Sequence, residues 1–183
     1  MRVWCDVFDS SYNRIGSGPV TAINSASFKR ALDGAGTFEL RCVGTDSQAL
    51  SLLTNERRVR IYGETLSGAS RLLGDGIIRR RSLTEQSGAV ELVVNGPDAL
   101  DELKRVNVLL ARTYQDTLQN VVNSLIGLVS GWSATVDAAI ASNNIEARYD
   151  GVSVLAALQD IADRYGYHLR MDPDNTRTVE ISE

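Results

Sequence analysis

The most concentrated chemistry in this chain lies in six arginines. Arg57, Arg58 and Arg60 sit on one predicted strand, and Arg79, Arg80 and Arg81 follow another. On neighbouring strands these guanidinium groups would form a patch able to hold phosphates or carboxylates through paired hydrogen bonds. A small barrel carrying such a patch suits an oligonucleotide. That mode of binding also uses aromatic platforms on which bases stack. Of the residues beside these arginines in sequence, only Tyr62 is aromatic. A solvated face, or pairing with an acidic partner subunit, accounts for the same residues without nucleic acid.

Other reactive side chains are scattered. His168, the single histidine, alternates with Arg170 on a strand face opposite Leu169 and Met171. Catalysis there needs a nucleophile or acid partner, and the sequence nominates none. No His, Cys and carboxylate cluster has metal-ligand spacing. Neither a metal nor a cofactor is therefore expected. Cys5 and Cys42 lie in separate strand-like runs and read as two small buried thiols. Gly34-Ala35-Gly36 lacks the lysine and following Ser or Thr of a phosphate loop, so hairpin geometry explains it better. Asp98, Asp101 and Glu102 fall at a helix start, where they serve the dipole and cap.

The elements that position these residues follow from hydrophobic periodicity. Val3 to Phe8 forms a strand ending in the polar turn Asp9 to Asn13. Pro19 opens an extended stretch in which Ala22 to Leu32 is one long strand. Asp33 to Gly36 is a tight reversal with positive-φ residues. Phe38, Leu40 and Cys42 alternate with Glu39 and Arg41, the period of a half-buried antiparallel strand. Asp46 to Leu53 fits a short helix or an ordered loop. Strands are expected at Arg58 to Tyr62, through Gly76-Ile77-Ile78, and at Ala89 to Asn95. Gly63 to Gly74 joins the first two as a hairpin connection. Six or so short strands at this spacing predict a small barrel or sandwich.

After Gly96-Pro97-Asp98 the pattern changes. Pro97 to Leu103 reads as a short closing helix. Thr113 and Asp116 have capping-box spacing, with Leu118, Val121, Val122, Leu125 and Val129 following at helical intervals. Trp132 to Val136 is a strand and Ala138 to Asn144 a loop. A helix over Ser153 to Tyr165 stops at Gly166. Tyr167 to Asp172 and Arg177 to Ser182 are strands around the turn Pro173 to Thr176. The fold class is α+β: an antiparallel β-barrel over residues 1–104, then a small α/β module over 105–183.

Composition narrows the partners. The chain has 183 residues, 43% hydrophobic and 23% charged, an ordinary globular balance. A net charge of -4 counts against broad affinity for a nucleic-acid backbone. Charge at the amino terminus argues against a signal peptide, and no run approaches the ~20 apolar residues of a membrane span. The expectation is a cytoplasmically made, soluble chain.

Phe28-Lys29-Arg30-Ala31-Leu32, Gly36-Thr37-Phe38-Glu39-Leu40 and Arg58-Val59-Arg60-Ile61-Tyr62 run in a familiar order. Gly76-Ile77-Ile78 and Leu92 to Leu100 continue it. Together they resemble the amino-terminal region of phage tail hub proteins, which include tail-associated lysins and prophage endopeptidase tail proteins. Tyr149 to Leu155 and Gly166 to Arg170 resemble that family's inserted α/β domain. The resemblance implies a tube-like barrel, a homotrimer around the tail axis, contact with the distal tail protein, and fibre or lysin parts carried below. It implies a virion tail tip, synthesis in the bacterial host cytoplasm, and no membrane or specific nucleic-acid partner. Arg57, Arg58, Arg60, Arg79, Arg80 and Arg81 would then serve subunit contacts. Family members continue with a second barrel, whereas this chain ends at Glu183 after a hairpin. The expected role is structural and not enzymatic. A nucleic-acid-binding small barrel using Arg57–Arg60 and Arg79–Arg81 is the alternative.

Overall fold

Alternating apolar residues place strand after strand through the first hundred positions, and the computed structural model shows where they pair. It describes every residue except Met1, Leu66, Ser87 and Leu110. The chain divides into two units, residues 1–30 with 36–98, and residues 31–35 with 99–183.

In the first unit the strands are β1 (Val3–Phe8), β2 (Arg14–Val20), β3 (Ile23–Lys29), β4 (Thr37–Val43), β5 (Arg58–Glu64), β6 (Ser70–Ile77), β7 (Arg80–Gln86) and β8 (Ala89–Pro97). One short helix, α1 (Ser47–Leu52), is capped by Asp46, whose side chain accepts from the Ala49 amide. The strands form two antiparallel sheets. Sheet one has the order β2-β1-β5-β6, and sheet two the order β3-β4-β8-β7. Inward residues of both fill one core: Cys5, Val7, Val59 and Ile61 from sheet one, and Phe38, Leu40, Leu92 and Val94 from sheet two.

The expected closed barrel is not found. The two sheets are joined by chain that bends from one into the other at two corners. Thr21 and Ala22 carry β2 into β3, and the Ala22 carbonyl accepts from the Val43 amide at 2.9 Å. At the second corner the Ile78 amide still donates to Arg57 beside sheet one, while the next amide, Arg79, donates to Asn95 of β8. Strands that switch sheets at bends give a sandwich with turned corners, not a continuous hydrogen-bonded wall. The second corner is crowded: a Cβ on Gly96 would lie 1.9 Å from the Ile77 carbonyl oxygen, so only glycine fits there.

Three local expectations are corrected over residues 14–36. Pro19 lies inside β2, which the sequence reading missed, instead of opening the next stretch. The long strand expected over Ala22 to Leu32 is limited to β3. Within Asp33 to Gly36 the positive φ belongs to Asp33, at 59°, and not to the glycines. Gly36 is needed for space, since a Cβ there would meet the Lys29 carbonyl oxygen at 2.6 Å.

The second unit opens with a 3₁₀ helix, Ala99–Lys104, and continues through β9 (Arg112–Thr117), α2 (Leu118–Ile126), β10 (Ser133–Val136), β11 (Asn144–Tyr149), α3 (Val154–Tyr165), β12 (His168–Met171) and β13 (Thr178–Ser182). Its sheets have the orders β10-β13-β12 and β11-β9. The capping-box residues Thr113 and Asp116 belong to a strand. The helix begins one turn later, where the Thr117 hydroxyl accepts from the Asn120 amide at 3.4 Å. Pairing of β9 with β11 along its whole length holds these residues extended. For α3 the expectation is met: Ser153 caps it and Gly166 ends it in the left-handed region, φ 73°. Residues 31–35 belong to this unit because Asp33 holds Leu169 on both backbone groups. Its amide donates to the Leu169 carbonyl at 2.7 Å, and its carboxylate accepts from the Leu169 amide at 2.8 Å. The chain is α+β.

Candidate functional site

The six arginines do not make one patch. β5, carrying Arg58 and Arg60, lies within sheet one, whereas β7, carrying Arg80 and Arg81, ends sheet two. Arg57 and Arg81 meet instead at the end of α1. Arg57 Nη1 donates to the carbonyls of Ser51 and Leu52 at 3.1 and 3.0 Å, and Arg81 Nη2 donates to that of Leu50 at 2.8 Å. Cations at unpaired helix carbonyls satisfy them and complement the dipole. Arg79 Nη1 reaches both carboxylate oxygens of Glu56, at 2.5 and 2.6 Å.

Arg58 and Arg60 stand on the outer face of sheet one among aromatics. The Arg60 guanidinium lies 4.6 Å from the Phe8 ring centre and 5.7 Å from that of Tyr12. The Arg58 guanidinium lies 5.1 Å from the Tyr12 ring centre. Trp4 and Tyr62 stack beside them with centroids 6.0 Å apart. Sequence adjacency showed only Tyr62. Strand pairing adds Trp4 opposite Tyr62 and Phe8 opposite Arg58, about fifty residues away in the chain. The period-two pattern of Val3 to Phe8 was a readable signal, but the partner strand was not. The Phe8 and Tyr12 rings lie against the protein's own arginines. The same face pairs Arg14 with Asp6 at 2.5 Å.

Sheet two presents a different surface. Its outer face carries Ser25, Ser27 and Lys29 of β3, Thr37, Glu39 and Arg41 of β4, Asn95 of β8, and Arg80, Ser82 and Thr84 of β7. Arg41 is held between Glu39 at 3.0 Å and Glu91 at 3.5 Å. An open groove of about 450 Å³ runs over Ser27, Lys29, Glu39 and Asn95. β3 and β7 terminate this sheet, and among the described residues no strand pairs with their outer edges. Arg80 through Glu85 are all exposed. On the core-side face, Leu83 is 57% exposed and Val90 39%.

The remaining candidates are structural. Cys5 and Cys42 are buried and unbridged. Burial first, then the nearby Asp46 charge, pushes the Cys42 thiol up to about 12, and burial drives Cys5 upward as well. Neither thiol ionises readily, so neither is a nucleophile. His168 Nδ1 lies 3.4 Å from an Asp33 carboxylate oxygen, within the segment that holds Leu169. The acidic residues at the 3₁₀ helix go to separate partners. Asp98 accepts from the Gly36 amide at 2.6 Å, Asp101 pairs with Lys104, and buried Glu102 accepts from the Trp132 indole at 3.2 Å. Among the described residues no group of three His, Cys, Asp or Glu side chains is placed to hold a metal ion. Among the described residues no helix is long and apolar enough to cross a membrane.

No protein-family model and no curated protein sequence matches the chain. Solved structures do. A prophage tail protein of Listeria monocytogenes superposes with a TM-score of 0.63 at 15% identity, covering 97% of this chain and 50% of its own. The 43 kDa tail protein of prophage MuSo2 from Shewanella oneidensis gives 0.68 at 12% identity, covering 100% and 54%. An E. coli component of the type VI secretion system, described as similar to T4 bacteriophage tail proteins, gives 0.52 at 10% identity, covering 87% and 47%. The chain spans about half the length of these structures. In fold, the chain is similar to these prophage tail proteins over nearly its whole length.

Proposed function

We propose that this protein is a structural component of a phage or prophage tail, acting as a hub at the tail tip. It assembles as a homotrimer around the tail axis, contacts the distal tail protein above and carries fibre or lysin parts below. Its place is the virion, after synthesis in the bacterial host cytoplasm, and its work is assembly and not catalysis. The observation that carries this reading is the match, over nearly the whole chain, to prophage tail proteins of Listeria monocytogenes and Shewanella oneidensis. Of the six arginines, five donate to or stack on partners within the first unit. Arg80, exposed at the start of β7, is the one we assign to subunit contact.

The test is localisation. Particles produced by the parent strain with an epitope on this chain should show label at the distal end of the tail by electron microscopy. Label on the capsid, or particles wholly lacking the chain, would overturn the reading.

A further inference from the structure

We propose that the end of sheet one beside Trp4 is a saccharide-binding site, taking one pyranose ring of a neutral glycan. A pocket of about 250 Å³ opens there, lined by Arg2, Trp4, Pro19, Thr21, Glu64 and Gly68. All six belong to the first unit. They come from the start of β1, the end of β2, the Thr21 corner and the end of β5 with the loop after it. The proposal does not depend on the tail reading.

Strand pairing puts the chemistry in place. Trp4 stands opposite Tyr62, and two residues further along the pair the Glu64 amide donates to the Arg2 carbonyl at 2.9 Å. Period two therefore sets Arg2 and Glu64 on the same face as the two rings. Tyr62 lies within 17° of parallel to Trp4 and braces the indole. Elsewhere on this face opposite charges close on each other, as Arg14 does on Asp6. Arg2 and Glu64 do not. Among the described residues no hydrogen bond or ion pair engages either side chain, the Thr21 hydroxyl or the Trp4 indole N–H.

That set selects the ligand class. A guanidinium only donates, a carboxylate only accepts and a hydroxyl does either. A pyranose carries hydroxyls that do both around its rim, and a C–H face whose positive hydrogens suit the negative face of an indole. An apolar side chain in the same pocket would strip water from Arg2, Thr21 and Glu64 and pair none of them. A nucleotide would bring phosphate against the Glu64 carboxylate, in a chain of net charge -4. The volume falls below that of pockets enclosing a drug-sized ligand, so the site holds one ring and leaves the rest of a glycan outside.

The chain has two tryptophans, so an NMR spectrum of the nitrogen-labelled protein holds one indole N–H signal as probe and one as control. The control is Trp132, buried in the second unit with its indole donating to Glu102. The full chain is titrated with methyl glycosides of glucose, galactose, mannose and N-acetylglucosamine, up to their solubility limits. At least one should move the Trp4 signal saturably and leave Trp132 in place. Glu64→Gln should weaken that binding roughly tenfold, and Thr21→Val by less. Trp4→Ala, followed by calorimetry, should abolish it, and an unmoved Trp132 signal verifies that each variant is folded. A Trp4 signal unmoved by every glycoside overturns the site. So does movement that survives Glu64→Gln and Thr21→Val undiminished, or tighter binding of thymidine monophosphate than of any sugar. None of these results bears on whether the chain is found in tails.

Discussion

Sheet one and sheet two share a core and a strand count, yet their outward faces are finished to different degrees. Sheet one uses its own residues: Trp4 stacks on Tyr62, Arg60 lies over Phe8, and Asp6 takes Arg14. Sheet two presents hydroxyls, an open groove, and an edge strand exposed on both sides. Charge alone does not mark an interaction surface. Arginine-rich sequence falls in both places: Arg58 and Arg60 lie against rings on sheet one, whereas Arg80 is exposed on β7.

The largest expected effect tests what the sheets share. Leu40 is fully buried between them, and Leu40→Ala should destabilise the first unit by roughly 2–5 kcal/mol in denaturant melts. Both faces depend on that core, so the variant should also lose assembly. A smaller loss follows at Gly96→Ala, of order 1–3 kcal/mol, because the corner between the sheets has no room for a Cβ. Arg60→Ala separates the two faces. It removes the stack on Phe8 and Tyr12, worth about 1 kcal/mol, and should leave oligomeric state unchanged.

The smallest effect is set by pH. The Asn13 side chain and backbone hold the Asp9 carboxyl below its ordinary value at the end of β1. A group whose folded pKa is depressed stabilises the fold above its unfolded pKa, near 3.9, and loses that contribution as pH falls through the folded value. Wild type should therefore exceed Asp9→Asn in thermal stability at neutral pH by a small margin. The margin should shrink as pH falls below the unfolded pKa and vanish once the folded carboxylate is protonated as well. A constant difference across that range would remove the carboxylate from the account of sheet one's turn.

How much of this was legible in the sequence depended on distance along the chain. α3 was readable because Ser153, its apolar stripe and Gly166 are local signals. The strand β9 was not, since Thr113 and Asp116 carry a helix-start spacing that pairing with β11 overrides. The period-two run Asn144 to Tyr149, alternately exposed and buried, was the available clue. Barrel closure could not be read, because the corners at Thr21-Ala22 and Ile78-Arg79 depend on which strands pair across the core. The arginines failed as a patch for the same reason. Their types were visible, but the sheet each run joined was not.

Amide hydrogen exchange, followed strand by strand across a range of protein concentration, tests the central contrast most directly. The account predicts that β1 and β5 show the same protection at every concentration, while residues beside Arg80 gain protection as subunits associate. Equal concentration dependence in both sheets, or none beside Arg80 in a chain that demonstrably assembles, would contradict it.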